Sequence, residues 1–167
     1  MSILYEDVFR SAEKSNIRLE IIKGATVWEA SPVFQHQWEV DRIRATIRRL
    51  EPEQCACVSI ADVLFKFPDG SQKRPDIAIL CAMPDRSITE NALEVVPTAV
   101  VEIISKNYEY KDLVLAPPFY LEAGVLDILI FNPADNSVLH YRPDLEKPNQ
   151  YLSPMTLTLE CGCEITV

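Results

Sequence analysis

Glycine is scarce in this 167-residue chain: Gly24, Gly70, Gly124 and Gly162 are the only four, and each stands alone. Neither the dinucleotide-binding GxGxxG nor a phosphate-cradling P-loop can therefore be written anywhere along it. There is no GxSxG nucleophile elbow either, which sets aside hydrolases built on that turn. No apolar run approaches the roughly 18 residues that a membrane-spanning helix needs. The amino terminus, MSILYEDVFRSAEKS, carries Glu6 and Asp7 where a secretory leader needs basic and then purely apolar residues, so a cytoplasmic location is expected. Positive charge is short as well, with 16 Lys and Arg against 25 Asp and Glu for a formal net charge of −9. That balance opposes tight, non-specific phosphate neutralisation, though not a local basic cleft.

What is present fits one folded domain over residues 1–167, because 48% of the chain is hydrophobic and 25% charged. Five cysteines include two C-x-C pairs, Cys55 with Cys57 and Cys161 with Cys163. Four thiolates are enough for a tetrahedral zinc site, but residues two apart on a strand point to one face, and C-x-C lacks the turn of the C-x2-C knuckle. The spacing therefore predicts small buried hydrophobes.

A short helix is expected from about Tyr5 to Lys14, then a hairpin of Leu19–Gly24 and Ala25–Trp28 hinged at Gly24. Ser31-Pro32 opens a second helix, in which His36, Val40, Ile43, Ile47 and Leu50 form one stripe of 3.6-residue period until Glu51-Pro52-Glu53 stops it. On that helix Arg42 and Arg49 fall beside the stripe and Arg44 and Arg48 away from it, which predicts a solvated surface rather than one nucleic-acid face. Cys55–Phe67 is extended, Pro68-Asp69-Gly70-Ser71 turns, and Lys73–Leu80 returns alongside. Pro84–Pro97 is a polar excursion. Thr98–Ser105 is a near-continuous apolar run, the signature of a central strand covered on both faces. A helix around Pro118–Ala123 stops at Gly124, and Asp127–Phe131, Ser137–Tyr141 and Met155–Val167 supply further strands. The simplest architecture is an α/β or α+β domain with a mixed central sheet, a crossover helix between two central strands and an N-terminal hairpin.

Two acids stand out by position. Asp76 follows Arg74-Pro75 at the mouth of one strand, and Glu102 interrupts the apolar run Val100–Ile104. A carboxylate inside a buried strand must be hydrogen-bonded, ion-paired, protonated or coordinated, because an isolated buried charge is prohibitively costly. On neighbouring strands the two acids would present oxygens to a hard cation such as Mg²⁺. Plainer roles stand beside this: a turn cap for Asp76, a structural ion pair for Glu102, and satisfied, partly buried rings for His36 and His140.

Pro75-Asp76 followed by a hydrophobic strand bearing Glu102 resembles the PD-(D/E)XK nuclease arrangement. More narrowly, the chain resembles the Uma-type restriction-endonuclease family of bacteria. Leu19-Glu20-Ile21-Ile22-Lys23-Gly24 matches that family's opening hairpin, Ser31-Pro32 with His36 its first helix, and Arg74-Pro75-Asp76-Ile77-Ala78 its metal-binding strand. Val101-Glu102-Ile103-Ile104-Ser105 matches its second acidic strand, and Asp112, Tyr120 and Gly124-Val125 its following helix. The resemblance implies a restriction-endonuclease-like fold and metal-dependent hydrolysis of DNA phosphodiesters, with Mg²⁺ or Mn²⁺ held by Asp76, Glu102 and the main-chain carbonyl of Ile103. A third acid would be Glu20 or Glu39, with Glu20 preferred. Two lysines expected of the family are absent, their places taken by Ile104 and Ala116, which leaves Lys106 and Lys111 as substitutes. A homodimer is implied by analogy. The missing lysines also support a different reading, a catalytically silent member acting as a binding or assembly module.

Overall fold

The apolar run around residue 100 becomes the middle of a six-stranded sheet. In the computed structural model, which describes residues 2–15, 17–51, 53–85, 92–106 and 109–167, helix α1 (Ser2–Lys14) precedes strands β1 (Ile17–Ile22) and β2 (Ala25–Ala30) and helix α2 (Phe34–Arg44). Strands β3 (Arg48–Arg49), β4 (Val58–Ala61), β5 (Phe65–Lys66), β6 (Gln72–Lys73), β7 (Ile77–Leu80) and β8 (Ala99–Ile103) follow. A π-helical stretch (Lys111–Leu115) runs into helix α3 (Ala116–Ala123), and the chain closes with β9 (Asp127–Asn132), β10 (Ser137–Tyr141), β11 (Asn149–Leu152), β12 (Thr156–Thr158) and β13 (Cys163–Thr166).

The main sheet has the order β11-β10-β9-β8-β7-β4. Its one parallel pair is β8 with β9, and parallel neighbours need a crossover, which the π-helical stretch and α3 provide. Helix α3 ends as the sequence predicts, on Gly124 in the left-handed region at φ 93°, a conformation that costs glycine no Cβ clash. One face of the sheet packs Ile77, Ile79, Val101, Ile103 and Leu129 against Val40 and Ile43 of α2. The other packs Ala78, Val100, Ile128 and Ile130 against Phe119 and Tyr120 of α3. The expected mixed sheet flanked by helices is therefore present, with its hairpin β1-β2 in a second sheet of order β2-β1-β6-β5 and a third of order β12-β13-β3. No helix among the described residues is long and apolar enough to cross a membrane.

Three expectations are corrected. Helix α2 stops at Arg44 although the apolar stripe continues: Thr46 Oγ1 donates to the Ile43 carbonyl at 2.7 Å and accepts from the Thr166 N–H at 2.8 Å. A hydroxyl that bonds nearby main chain offers an alternative to the helical ladder, and Arg48–Arg49 then pair with Glu164 and Cys163 as β3. Leu50 is left exposed, and Pro52 lies outside the described residues. Second, the returning strand Lys73–Leu80 divides at Arg74-Pro75, so β6 joins the hairpin sheet and β7 the main sheet. Third, the cysteines are not isolated hydrophobes: Cys55 is disulfide-bonded to Cys81 and Cys57 to Cys163, leaving Cys161 free. Neither C-x-C pair is an extended strand segment, since Cys57 has φ 50° and Gly162 φ 82°. Residues 86–91 of the expected polar excursion lie outside the described residues.

His140 is structural, as its flanks suggest. Its Nε2 lies 2.7 Å from Oδ1 of the fully buried Asp127, whose Oδ2 accepts the Glu160 N–H at 2.8 Å. Asp127→Ala should lower unfolding free energy by about 2–3 kcal/mol in urea denaturation, because it strips the buried His140 ring and the Glu160 N–H of their shared acceptor. A loss below about 0.5 kcal/mol, the usual size for an uninvolved surface site, would show the network to be unimportant.

Candidate active site

The break between β6 and β7 sends Lys73 into the interior and Asp76 to the end of the main sheet. Because Ile77 pairs with Val101 in antiparallel register, the preceding Asp76 comes beside Glu102. The Asp76 N–H donates to Glu102 Oε2 at 3.3 Å, and the Ile103 N–H donates to Asp76 Oδ2 at 2.7 Å. His36 on α2 completes the group, with Nε2 at 3.2 Å from Asp76 Oδ2 and 3.2 Å from the Ile103 carbonyl oxygen. The carboxylate and the carbonyl thus converge on one ring nitrogen.

Behind this pair lies a buried charge network. Lys73, fully buried, donates to Glu20 Oε2 at 3.1 Å and stands 3.6 Å from Glu102 Oε1, with Nζ 5.1 Å from the Tyr120 ring centroid. The Arg74 N–H bonds the other Glu20 oxygen at 2.8 Å, and the Tyr120 hydroxyl donates to Glu102 Oε1 at 2.6 Å. From the π-helical stretch, Lys111 Nζ reaches within 3.9 Å of Glu20 Oε2 and 3.3 Å of Asp112 Oδ1. π-Helical segments recur at functional sites because they re-aim side chains that a regular helix would space differently.

These surroundings set the protonation states. Burial pushes the Glu102 carboxyl up to about 8, with Asp76 and Asp112 adding to the rise and Lys73 and Lys111 opposing it. Burial likewise carries Asp112 up to about 6. Burial alone would raise Glu20 too, but Lys73, Lys111 and the Arg74 amide outweigh it and hold that carboxyl below the ordinary range. The Tyr120 hydroxyl, buried and beside Glu102, is pushed well above its usual value and remains a donor.

Of the residues singled out in the sequence, Asp76, Glu102 and Ile103 stand together. Glu20 is linked to Glu102 through Lys73, which stands 3.1 Å from the one and 3.6 Å from the other. Lys111 reaches the network, whereas Lys106 is exposed, with no ion pair to these acids among the described residues. Glu39 pairs with Arg42 at 2.7 Å. The sequence reading did not assign Lys73, Tyr120, Asp112 or His36 to the site. Lys73 falls in register with the buried Ser71, Pro75 and Ile77 in the structure, a placement that its polar neighbours Gln72 and Arg74 give no sign of in the sequence.

A mixed sheet whose Pro-Asp strand abuts a buried glutamate strand, with the crossover helix closing the site, defines a restriction-endonuclease-like α/β domain. The family model described as "Putative restriction endonuclease" matches residues 5–167, and the chain belongs to this Uma2 family. Among solved structures it is similar in fold to one described as a putative nuclease belonging to DUF820 from Anabaena variabilis ATCC 29413. The two share 22% sequence identity over 83% of this chain and 79% of that one, with a TM-score of 0.65. No curated protein matches the chain.

Proposed function

We propose that this protein is a metal-dependent nuclease hydrolysing DNA phosphodiester bonds, with Mg²⁺ or Mn²⁺ held by Asp76, Glu102 and the Ile103 carbonyl. The observation that carries the reading is the convergence of Asp76 Oδ2 and the Ile103 carbonyl on His36 Nε2, 3.2 Å from each, beside Glu102. Two carboxylates and a carbonyl make the oxygen-rich donor set that hard divalent cations take, so the residues fit the ion. When bound, such an ion supplies charge stabilisation at the phosphate and lowers the pKa of the attacking water.

The chain's own residues do the rest. Lys73 and Lys111 contribute two cations to the network of a chain that lacks both expected family lysines, and this reading gives Lys111, 7% exposed against 0% for Lys73, the role of meeting a phosphate or its water. Glu20 and Tyr120 fix Lys73 and Glu102. On α2, beside His36, Phe34 and Trp38 are 82% and 59% exposed with ring centroids 6.3 Å apart, offering bases a surface for stacking. A cytoplasmic homodimer belongs to the same proposal, by analogy.

The test is nicking of supercoiled plasmid and cleavage of single-stranded DNA by the purified protein in Mg²⁺ or Mn²⁺, with Asp76→Ala prepared in parallel. The wild type should cleave and the variant should lose about 100-fold or more, as expected for removal of a group that stabilises transition-state charge. Equal activity in both would identify a contaminant. Inert wild type would favour the silent binding or assembly module.

A further inference from the structure

All five cysteines meet in one place, away from the acids. The first C-x-C pair lies in the loop before β4, the second in the turn entering β13, and Cys81 just after β7. The Sγ atoms of Cys55, Cys161 and Cys163 lie within 4.8 Å of one another, the one such group of three metal-binding side chains among the described residues. Cys55 and Cys163 sulfurs are 3.6 Å apart, Cys161 and Cys163 sulfurs 3.3 Å, and Cys57 is bonded to Cys163. A tetrahedral site with zinc–sulfur bonds of about 2.3 Å has sulfur–sulfur edges of about 3.8 Å, close to the 3.6 and 3.3 Å that separate Cys163 from Cys55 and Cys161, and reduction would release Cys57 from its bond to Cys163 beside them.

The backbone is arranged for thiolates as well as for sulfur. In the first pair the Cys57 N–H donates to Cys55 Sγ at 3.4 Å, and in the second the Cys161 and Cys163 sulfurs face each other at 3.3 Å. The left-handed backbone at Cys57 and Gly162 makes each C-x-C a turn rather than the extended strand that the spacing suggests. Cys55 and Cys163 are buried, so ions there would be shielded from water, while Cys161 is half-buried and leaves a way in.

We infer that, in the reduced protein, Cys55, Cys57, Cys161 and Cys163 form a closed tetrathiolate site for a thiophilic divalent cation of the zinc class. The disulfide-bonded arrangement is its oxidised counterpart. A dithiol reductant gives each disulfide two electrons and two protons and leaves as its own disulfide. The five resulting thiols then include four that lose their protons to the solvent as the cation binds, and Cys81 remains a free thiol. This site stands apart from the acid pair and does not depend on the nuclease reading.

The experiment is an anaerobic titration of the reduced full chain with Co²⁺ as probe, followed by displacement with Zn²⁺. One equivalent should give thiolate-to-cobalt charge-transfer absorption with the intense visible bands of tetrahedral coordination, and Zn²⁺ should remove both. Cys161→Ser leaves both disulfide pairs intact for folding and should weaken Co²⁺ binding about tenfold or more, whereas Cys81→Ser should bind as the wild type does. The inference is overturned if the reduced wild type shows no charge-transfer band. It is equally overturned if Cys161→Ser and Cys81→Ser bind alike.

Discussion

Lys73→Met should lower the unfolding free energy at pH 7 by about 3–5 kcal/mol, the cost of stripping one partner from a buried ion pair. Methionine keeps most of the side-chain volume, so the loss reports charge rather than a cavity. Lys73 is fully buried between Glu20 and Glu102, 3.1 and 3.6 Å away. Burial would lower its ammonium pKa, but Glu20 and Glu102 outweigh that and raise it. Its own contribution is therefore present throughout the neutral range and lost only as pH rises through the raised value. Glu20 runs the other way: held below its ordinary value, it stabilises above the unfolded glutamate pKa and loses that contribution as pH falls through the depressed one. In the variant, burial of Glu20 is opposed only by Lys111 and the Arg74 amide, so its carboxyl takes up a proton more readily. The deficit should consequently be largest near pH 7 and shrink below the unfolded glutamate pKa. Urea denaturation across that range, with Lys73→Met/Glu20→Gln as the double variant, measures it, and the second change should restore more than half of the loss. A deficit that stays flat with pH and is not rescued would show that packing, not the pair, holds this end of β6.

The acids were legible because each breaks a local rule. A glutamate in the middle of Val100–Ile104 demands a partner, and Pro75-Asp76 marks a strand mouth whatever surrounds it. The hairpin at Gly24, the β8-to-β9 crossover and the stop at Gly124 follow from turn chemistry and periodicity, and all three are found. Lys73 was not legible, because Gln72-Lys73-Arg74 reads as a polar strand and only its passage between two sheets carries the middle residue inside. His36 was expected to be a satisfied, partly buried ring; what its Nε2 meets is the Asp76 carboxylate and the Ile103 carbonyl, 67 residues away in the case of the carbonyl. No local pattern encodes such a contact. Helix α2 shows the converse failure: the stripe through Ile47 and Leu50 is genuine helical periodicity, overridden by the Thr46 hydroxyl and by pairing with β13. The cysteines were misjudged for a related reason, since spacing fixes direction only once the backbone conformation is known.

If Glu102 holds the cation as proposed, it should tie the pH dependence of stability to that of metal binding, and in opposite directions. Burial, then Asp76 and Asp112, keeps its carboxyl protonated up to about 8 against an ordinary value of 4.5. Without metal the native state therefore holds a proton that the unfolded chain has released, and stability should fall as pH rises from about 4.5 to about 8, by at most about 1.4 kcal/mol per unit. A cation on Glu102 must displace that proton, so apparent Mg²⁺ affinity should rise up to about tenfold per pH unit over the upper part of the same window and level off above about 8. Asp112, at about 6, would add an inflection lower down. Tyr120 stays a donor to Glu102 throughout, because its own pKa lies well above the window. Glu102→Gln has no proton to exchange and should flatten both slopes, in thermal melts without metal and in Mg²⁺ titrations. A variant that kept the wild-type slopes would place the proton elsewhere in the network. Loss of both slopes would support Glu102 as the group through which the proposed site exchanges a proton for its cation, and the rates of the proposed nuclease at limiting Mg²⁺ should then climb toward pH 8 in step with the binding curve.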